Sequence, residues 1–351
     1  MRRKLQQLAI NTRYAFNPRK PRLVARLASA VTQTMVLGRQ RLRYVDFSIG
    51  YACNLHCQHC FATALTQRGN KRVMKPDDYG RVVREAMALG AVNFSFQGGE
   101  PLLFHQLDEI IGASHAEQNL ISVTTNGTLL DPAQVVRLKR LGVDILTVSL
   151  DSDDPAEHDR FRGKAGAYDK TLAGIELARA EGLKVTLGTV VTHDSLHSPG
   201  IQGLLQRAIE LRCVLNLIMP VPAGRWAGDE AMLLTQDDLA YIDHLTHVSP
   251  YIRTDFQANW GGYGCGAAKE ILYITPYGDV LTCPFMHIAA GNIFEESVAQ
   301  ARARALANPY FSTYHDTCLV STNPEFIEQH LSKTFDAEHL PIPWEDAFGG
   351  S

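Results

Sequence analysis

From residue 44 to about 219 the sequence alternates, six times over, between a short apolar run and a stretch whose apolar residues recur at helical spacing. YVDFSIG (44–50) reads as a strand, and Tyr79, Val82, Val83, Ala86 and Met87 then share one helix face. Val92, Phe94 and Phe96 alternate as a strand does, Leu107, Ile110 and Ile111 return to helical spacing, and LISVTT (120–125) is the third strand. Asp131 as N-cap with Pro132 behind it marks a helix start, and Gly142 closes that helix. VDILTVSL (143–150), a helix through Leu172, Ile175 and Ala178 ending near Gly182, LKVTLGTVV (183–191), a helix near 201–211 and CVLNLIM (213–219) complete the series. Six strand-and-helix units in succession predict an α/β fold on a parallel sheet with crossover helices, either doubly wound or curled toward a barrel. In both arrangements ligands gather at the C-terminal ends of the strands.

After Pro220 the rhythm changes. VPAGRWAGDEAMLL is a connector, Thr235 with Asp238 forms a capped helix start, and EILYITPYGDVLTC (270–283) reads as a hairpin turning at Pro276–Asp279. The chain therefore divides into an N-terminal arm (1–43), a core (44–220) and a smaller appended module (221–351). The arm carries eleven Lys and Arg and no acid, leaving 23 basic against 37 acidic residues for the rest. Such an arm is either a solvated helix packed on the body or a contact for an anionic surface. No nucleic-acid motif or second basic, aromatic-studded stretch accompanies it. No run has the length of a membrane span, and Arg22 and Arg26 interrupt the only candidate for a secretory signal, so a cytoplasmic location is expected.

In a reducing compartment, clustered thiols hold metal or do chemistry more often than they form disulfides. Cys53, Cys57 and Cys60, in YACNLHCQHCF, follow the first strand at the end where ligands gather. Three thiolates can hold three irons of a cubic four-iron cluster and leave the fourth open to another ligand. The competing reading is a zinc site completed by His56 or His59. FSFQGGEP then ends the second strand on the same rim. Its Gly98 and Gly99 permit close backbone approach, and Glu100 supplies an anionic acceptor for an ammonium group.

Together, C-x3-C-x2-C after the first strand and GGE after the second resemble the radical S-adenosylmethionine (SAM) superfamily, over roughly residues 44–220. The resemblance implies a partial (βα)6 TIM-like barrel. It also implies a [4Fe-4S] cluster on Cys53, Cys57 and Cys60, whose open iron is chelated by SAM, and one-electron cleavage of SAM to a 5′-deoxyadenosyl radical that abstracts hydrogen from substrate. A flavodoxin- or ferredoxin-type donor would supply the electron. By the same resemblance Gly98, Gly99 and Glu100 receive the methionyl amino group, and Ser149, Asp151 and Arg162, in SLDSDDPAEHDRFRG, address ribose or carboxylate. For Asp151 the plainer alternative is a cap on the following helix, and Asn126 of TTNGTLL need do no more than make a turn.

Cys265, Cys283 and Cys318 form a second group in the appended module. CGAAKEILYITPYGDVLTCPF followed by GNIFEES is similar to the start of the SPASM and twitch modules, small α+β extensions that bind an auxiliary [4Fe-4S] cluster. Those modules carry more cysteines than the three present here, so three outcomes are open: His315 or Asp316 completes the set, the fourth iron faces substrate, or no cluster forms. Cys213, at the start of the sixth strand, reads as core packing, with hydrogen-atom donation as its lesser role.

An auxiliary cluster next to the barrel mouth would accept an electron. With a base, it turns hydrogen abstraction into a two-electron oxidation; returning a hydrogen gives epimerisation, and attack on another atom gives bond formation. Arg225, Tyr263 and His287 are the candidates for the base. The 43 residues before the first strand are too few for a leader-peptide-binding domain, which favours dehydrogenation of a small molecule such as a sugar or aminocyclitol in natural-product assembly. A peptide substrate is the alternative, and a non-catalytic iron–sulfur scaffold or sensor is an alternative of another class.

Overall fold

A computed structural model of the chain describes residues 2–66 and 71–349. Two helices, α1 (Arg2–Ala15) and α2 (Pro21–Val31), precede the first strand. Six parallel strands follow, β1 (Tyr44–Ser48), β2 (Asn93–Gln97), β3 (Leu120–Thr125), β4 (Ile145–Ser149), β5 (Lys184–Val190) and β6 (Val214–Ile218), each hydrogen-bonded to the next. They are linked by α3 (Pro76–Leu89), α4 (Leu107–Ala113), α5 (Pro132–Arg140), the pair α6 (Pro155–Arg162) and α7 (Ala167–Ala180), and α8 (Pro199–Glu210). The helix ends follow local chemistry. Asp131 accepts from the Gln134 amide at 2.7 Å to start α5, and Gly90 and Gly142 take up left-handed backbone after α3 and α5.

The sheet runs on past both edges of this series. After α9 (Gln236–Val248), β7 (Ile252–Arg253) adds beside β6. On the other side β8 (Ile271–Ile274) pairs parallel to β1, followed by β9 (Asp279–Leu281), β10 (Ile288–Asn292) and the short β11 (Ile342–Pro343). β1 and β6 do not pair with each other, so the barrel is partial, as expected. The expected hairpin is β8–β9, turning through Gly278 at φ +83°.

Alternation along the strands settles what lies on each side. Val45 and Phe47 of β1, Phe94 and Phe96 of β2, Ile121 and Val123 of β3, and Leu146 and Val148 of β4 face outward and pack against Val82, Ile110, Val135 and Ile175 of the helices. The opposite phase faces a cavity of ≈ 330 Å³: Asp46 on β1, Ser95 and Gln97 on β2, Thr124 on β3, Thr147 on β4, and Asn216 on β6.

The arm closes the N-terminal end of this barrel. The Tyr14 hydroxyl donates to the Val185 carbonyl at 2.9 Å and accepts from the Val214 amide at 3.2 Å. Lys20 is buried and forms a 2.5 Å ion pair with buried Asp144, with a further bond to the Gly142 carbonyl at 2.7 Å. No helix among the described residues is long and apolar enough to cross a membrane. Removing one partner of a buried ion pair strands the other charge. Lys20→Met is therefore expected to cost about 3–5 kcal/mol, read as a lowered urea midpoint, with part of the loss restored when Asp144→Leu is added.

Candidate active site

The cysteine loop leaves β1 at its C-terminal end and is clasped there by backbone. The Gly99 amide donates to the Gly50 carbonyl and the Glu100 amide to the Ala52 carbonyl, both at 2.8 Å. A Cβ on Gly99 would lie 2.1 Å from the Ala52 oxygen, and one on Gly98, at φ +134°, 2.2 Å from the Gly50 oxygen. The glycine pair is thus required by close approach, as its sequence suggested.

Glu100 departs from the expected role. It is completely buried, and its carboxylate accepts from the Leu102 amide at 3.0 Å, the Thr125 hydroxyl at 2.7 Å and the Asn126 amide at 2.8 Å. Burial raises its pKa while these donors oppose the rise. The carboxylate serves to tie the end of β2 to the end of β3, and the part of GGE that reaches the surface is the Gly98–Gly99 backbone. Asn126 does more than turn the chain: its side-chain amide donates to Asn54 at 2.9 Å and lies 4.0 Å from the Cys53 sulfur.

Around the loop Cys53 is exposed, Cys60 half-buried and Cys57 buried. Burial raises the Cys53 and Cys60 thiols, and the neighbouring cysteines raise them further. The end of α6 packs on the loop, with the His56 amide on the Arg162 carbonyl at 3.2 Å and the Gln58 amide on the Phe161 carbonyl at 2.9 Å. Buried Arg162 forms a 2.5 Å ion pair with buried Asp151 and places Nη1 3.7 Å from the Cys57 sulfur. Asp151 also accepts from the Val190 amide at 3.1 Å, so it joins β4 and β5 to the cysteine loop. It is not the helix cap. That role falls to Asp154, which accepts from the Glu157 amide at 2.8 Å. Ser149, the last residue of β4, reaches the same rim.

The zinc alternative would need His56 or His59 as its fourth ligand. His59 stacks on Phe161 with centroids 4.6 Å apart, and burial drives its pKa down to about 3. The buried Arg162 guanidinium beside the Cys57 sulfur suits an anionic thiolate cluster on this loop.

Cys265, Cys283 and Cys318 line the barrel cavity. The expectation of a position next to the barrel mouth is corrected by strand register. Ile271 pairs with Tyr44 at the start of β1, and β9 returns antiparallel, so Cys283 and Cys265 lie level with the N-terminal ends of the strands. At about 3.3 Å per residue, the five residues of β1 separate the two thiol groups by on the order of 17 Å. Burial raises all three thiols, pushing Cys283 up to about 12, and Cys265 raises Cys283 and Cys318 further. The His315 carbonyl accepts from the Cys265 amide at 2.7 Å, but its ring nitrogen Nε2 lies 3.0 Å from the Tyr310 carbonyl, and Asp316 is exposed. Only the three thiols of this set face the cavity. Buried Cys213 directs its sulfur to the Val185 carbonyl at 3.0 Å, in keeping with a packing role.

None of the three candidates for the base lines this cavity. Arg225 is exposed with Nη1 3.5 Å from the His56 carbonyl, Tyr263 is 55% exposed against the edge of Phe256, and buried His287 lies in a smaller pocket beside Phe335. The structure brings Asp46 into the cavity instead. Its Oδ2 accepts from Gln97, whereas its buried Oδ1 makes no hydrogen bond of acceptable geometry. Burial pushes its pKa up to about 8; the Ser95 and Tyr44 hydroxyls oppose the shift and Asp255 adds to it.

The comparisons agree with this geometry. The profile of the Radical SAM superfamily matches residues 47–197. Residues 47–197 form a radical SAM domain. The chain is 28% identical over 284 residues to an AdoMet-dependent heme synthase of Methanosarcina barkeri, covering 72% of this chain and 80% of that protein. It is 26% identical to a PqqA peptide cyclase of Granulibacter bethesdensis, covering 76% and 74%. Among solved structures, SuiB of Streptococcus suis bound to S-adenosylmethionine superposes with a TM-score of 0.58 at 19% identity over 78% of this chain and 67% of SuiB. The structure titled native anSMEcpe with bound AdoMet superposes at 0.57 and 17% identity over 79% and 83%. At these identities the likeness is one of fold. The superfamily uses a [4Fe-4S] cluster and SAM, and SPASM-type members carry auxiliary clusters.

Gly99→Ala is expected to weaken SAM binding at least about tenfold, or 1.4 kcal/mol, measured as the SAM-induced change in the spectrum of the reconstituted protein. Asp46 provides a pH test. Its folded pKa lies above the unfolded value of 3.8, so its contribution to stability is present below that value and is lost as pH rises toward about 8. Asp46→Asn should therefore gain stability relative to wild type across that interval, and the protonated-carboxyl infrared band of wild type should fade with a midpoint near pH 8.

Proposed function

We propose that this radical SAM enzyme is an oxidoreductase that removes two electrons from a small molecule bound in the barrel cavity. The observation that carries the reading is a second thiol trio lining the barrel cavity level with the N-terminal ends of the strands, with the buried Asp46 carboxylate on the same cavity wall. In this reading residues 44–220 are the catalytic core, 221–351 the auxiliary-cluster module and 1–43 an arm that closes the barrel base. Cys53, Cys57 and Cys60 hold the SAM-binding cluster, and Cys265, Cys283 and Cys318 the second one. When bound, the clusters supply the electron that cleaves SAM and accept the electron released by substrate; a ferredoxin- or flavodoxin-type protein of the cytoplasm restores the first.

The chain's own residues divide the remaining work. The Gly98–Gly99 backbone and Ser149 present the rim to SAM, and the Asp151–Arg162 pair holds the cysteine loop beneath it. Asp46, in its ionised form, takes the proton that must leave a hydroxyl or amine when the adjacent carbon is oxidised, a role that grows as pH approaches about 8. A cavity of ≈ 330 Å³ suits a sugar-sized molecule. A peptide fits it by inserting one side chain, the second reading that the PqqA peptide cyclase relative supports.

The test is anaerobic reconstitution with iron and sulfide. Wild type should release 5′-deoxyadenosine from SAM with reductant, whereas a scaffold would release none. Cys283→Ala should lose about four irons per chain and keep those of the first site. An unchanged iron count would refute the second site, and solvent deuterium appearing in a product would point to epimerisation instead.

A further inference from the structure

Lys269 is completely buried, four residues after Cys265, and no acid among the described residues pairs with it. Its ammonium donates to the carbonyls of Ala267 at 3.3 Å and Phe311 at 3.2 Å, and lies 5.4 Å from the centroid of the Tyr314 ring. The adjacent Glu270 is already committed. Its carboxylate accepts from Arg43 at 2.9 Å, the Tyr314 hydroxyl at 2.7 Å and the amides of Trp260 at 2.8 Å and Gly261 at 2.6 Å. A second buried cation, Arg302, spends its guanidinium on the carbonyls of Ala268 at 2.8 Å and Lys269 at 2.7 Å.

Taking an ammonium out of water costs several kcal/mol unless an anion compensates it. Hydrogen bonds to carbonyls satisfy donors without neutralising the charge, and the neighbouring Glu270 carboxylate is shared with Arg43 and three further donors. The Ala267 carbonyl that holds the ammonium lies two residues from Cys265, and Ala267 and Cys265 both line the cavity. Asp255, which lines the same cavity, is itself offset by Arg253 and Arg43. The segment that carries Cys265 therefore stores positive charge in a dry setting, and the anion that would balance it is a set of thiolates.

We propose that Lys269 is the counter-ion of the second thiol group, balancing the thiolates when they hold iron and making that site easier to reduce. The inference rests on the reading that Cys265, Cys283 and Cys318 hold a cluster. On reduction the site gains one electron and one negative charge, no bond is made or broken, and Lys269 keeps its proton. Lys269 is thus a positioning charge rather than a group that touches substrate.

The experiment is a dithionite redox titration of the reconstituted whole chain, followed by electron paramagnetic resonance, with the first site distinguished by its response to SAM. Lys269→Met should lower the equilibrium constant for one-electron reduction of the second site about tenfold, a 59 mV fall in potential. Lys269→Arg, which keeps the charge, should stay within about twofold of wild type. A Lys269→Met protein with full iron and an unchanged potential would overturn the proposal, as would an equal fall in Lys269→Arg, which would mark a packing role. Loss of iron from Lys269→Met alone would support it. Iron counting on wild type separates the two levels: no iron beyond the first site would remove the underlying reading itself.

Discussion

A parallel sheet must cover both of its faces, and here only one is covered by helices. The outward phase of β1 to β4 is apolar and packs on α3, α4, α5 and α7. The inward phase alternates hydroxyls, amides and a carboxylate, which no helix covers. Curling the strands around a cavity is the arrangement that hides these groups from the helices while leaving them within reach of a small molecule. The rest follows from that curl. The C-terminal rim collects the cysteine loop, the two glycines and the Asp151–Arg162 pair, while the N-terminal end is closed by Tyr14 and by the turn that carries Cys265.

Polar networks beneath the rim give the thiols a fixed frame. Glu100 ties β2 to β3, Asp151 ties β4 and β5 to α6, and Asn126 ties the end of β3 to the cysteine loop. Each uses a buried polar group with its bonds satisfied, the condition under which such groups rigidify a site rather than weaken it. The cavity below is less fully satisfied. Asp46 Oδ1 and the Ser95 hydroxyl are buried without hydrogen bonds of good geometry, which is where an incoming polar ligand gains most.

The strands, helices and caps were legible because each is a local pattern: Asp131 with Pro132, Gly142, and the Pro276–Asp279 turn all serve as read. The two cysteine groups were legible from spacing and from the resemblance it carries. The inward phase carries a weaker signal, in Ser95 and Gln97 of NFSFQ and Asp46 of YVDFS. A single acid in an apolar strand is easily read as noise until its neighbours on the adjacent strands are seen to share its face. Three facts have no local signal at all. Lys20 meets Asp144 across 124 residues, the register of β8 on β1 puts the second thiols at the opposite end from the first, and Asp154 rather than Asp151 caps α6 because backbone geometry chooses among adjacent acids.

The central claim is that two iron–sulfur sites face each other through one barrel. Iron-edge anomalous diffraction from crystals grown without oxygen and with SAM tests it most directly. The account predicts two separate iron-rich peaks, one at Cys53, Cys57 and Cys60 with SAM against it, the other at Cys265, Cys283 and Cys318. Zinc in either place, or no metal at the second, would contradict it.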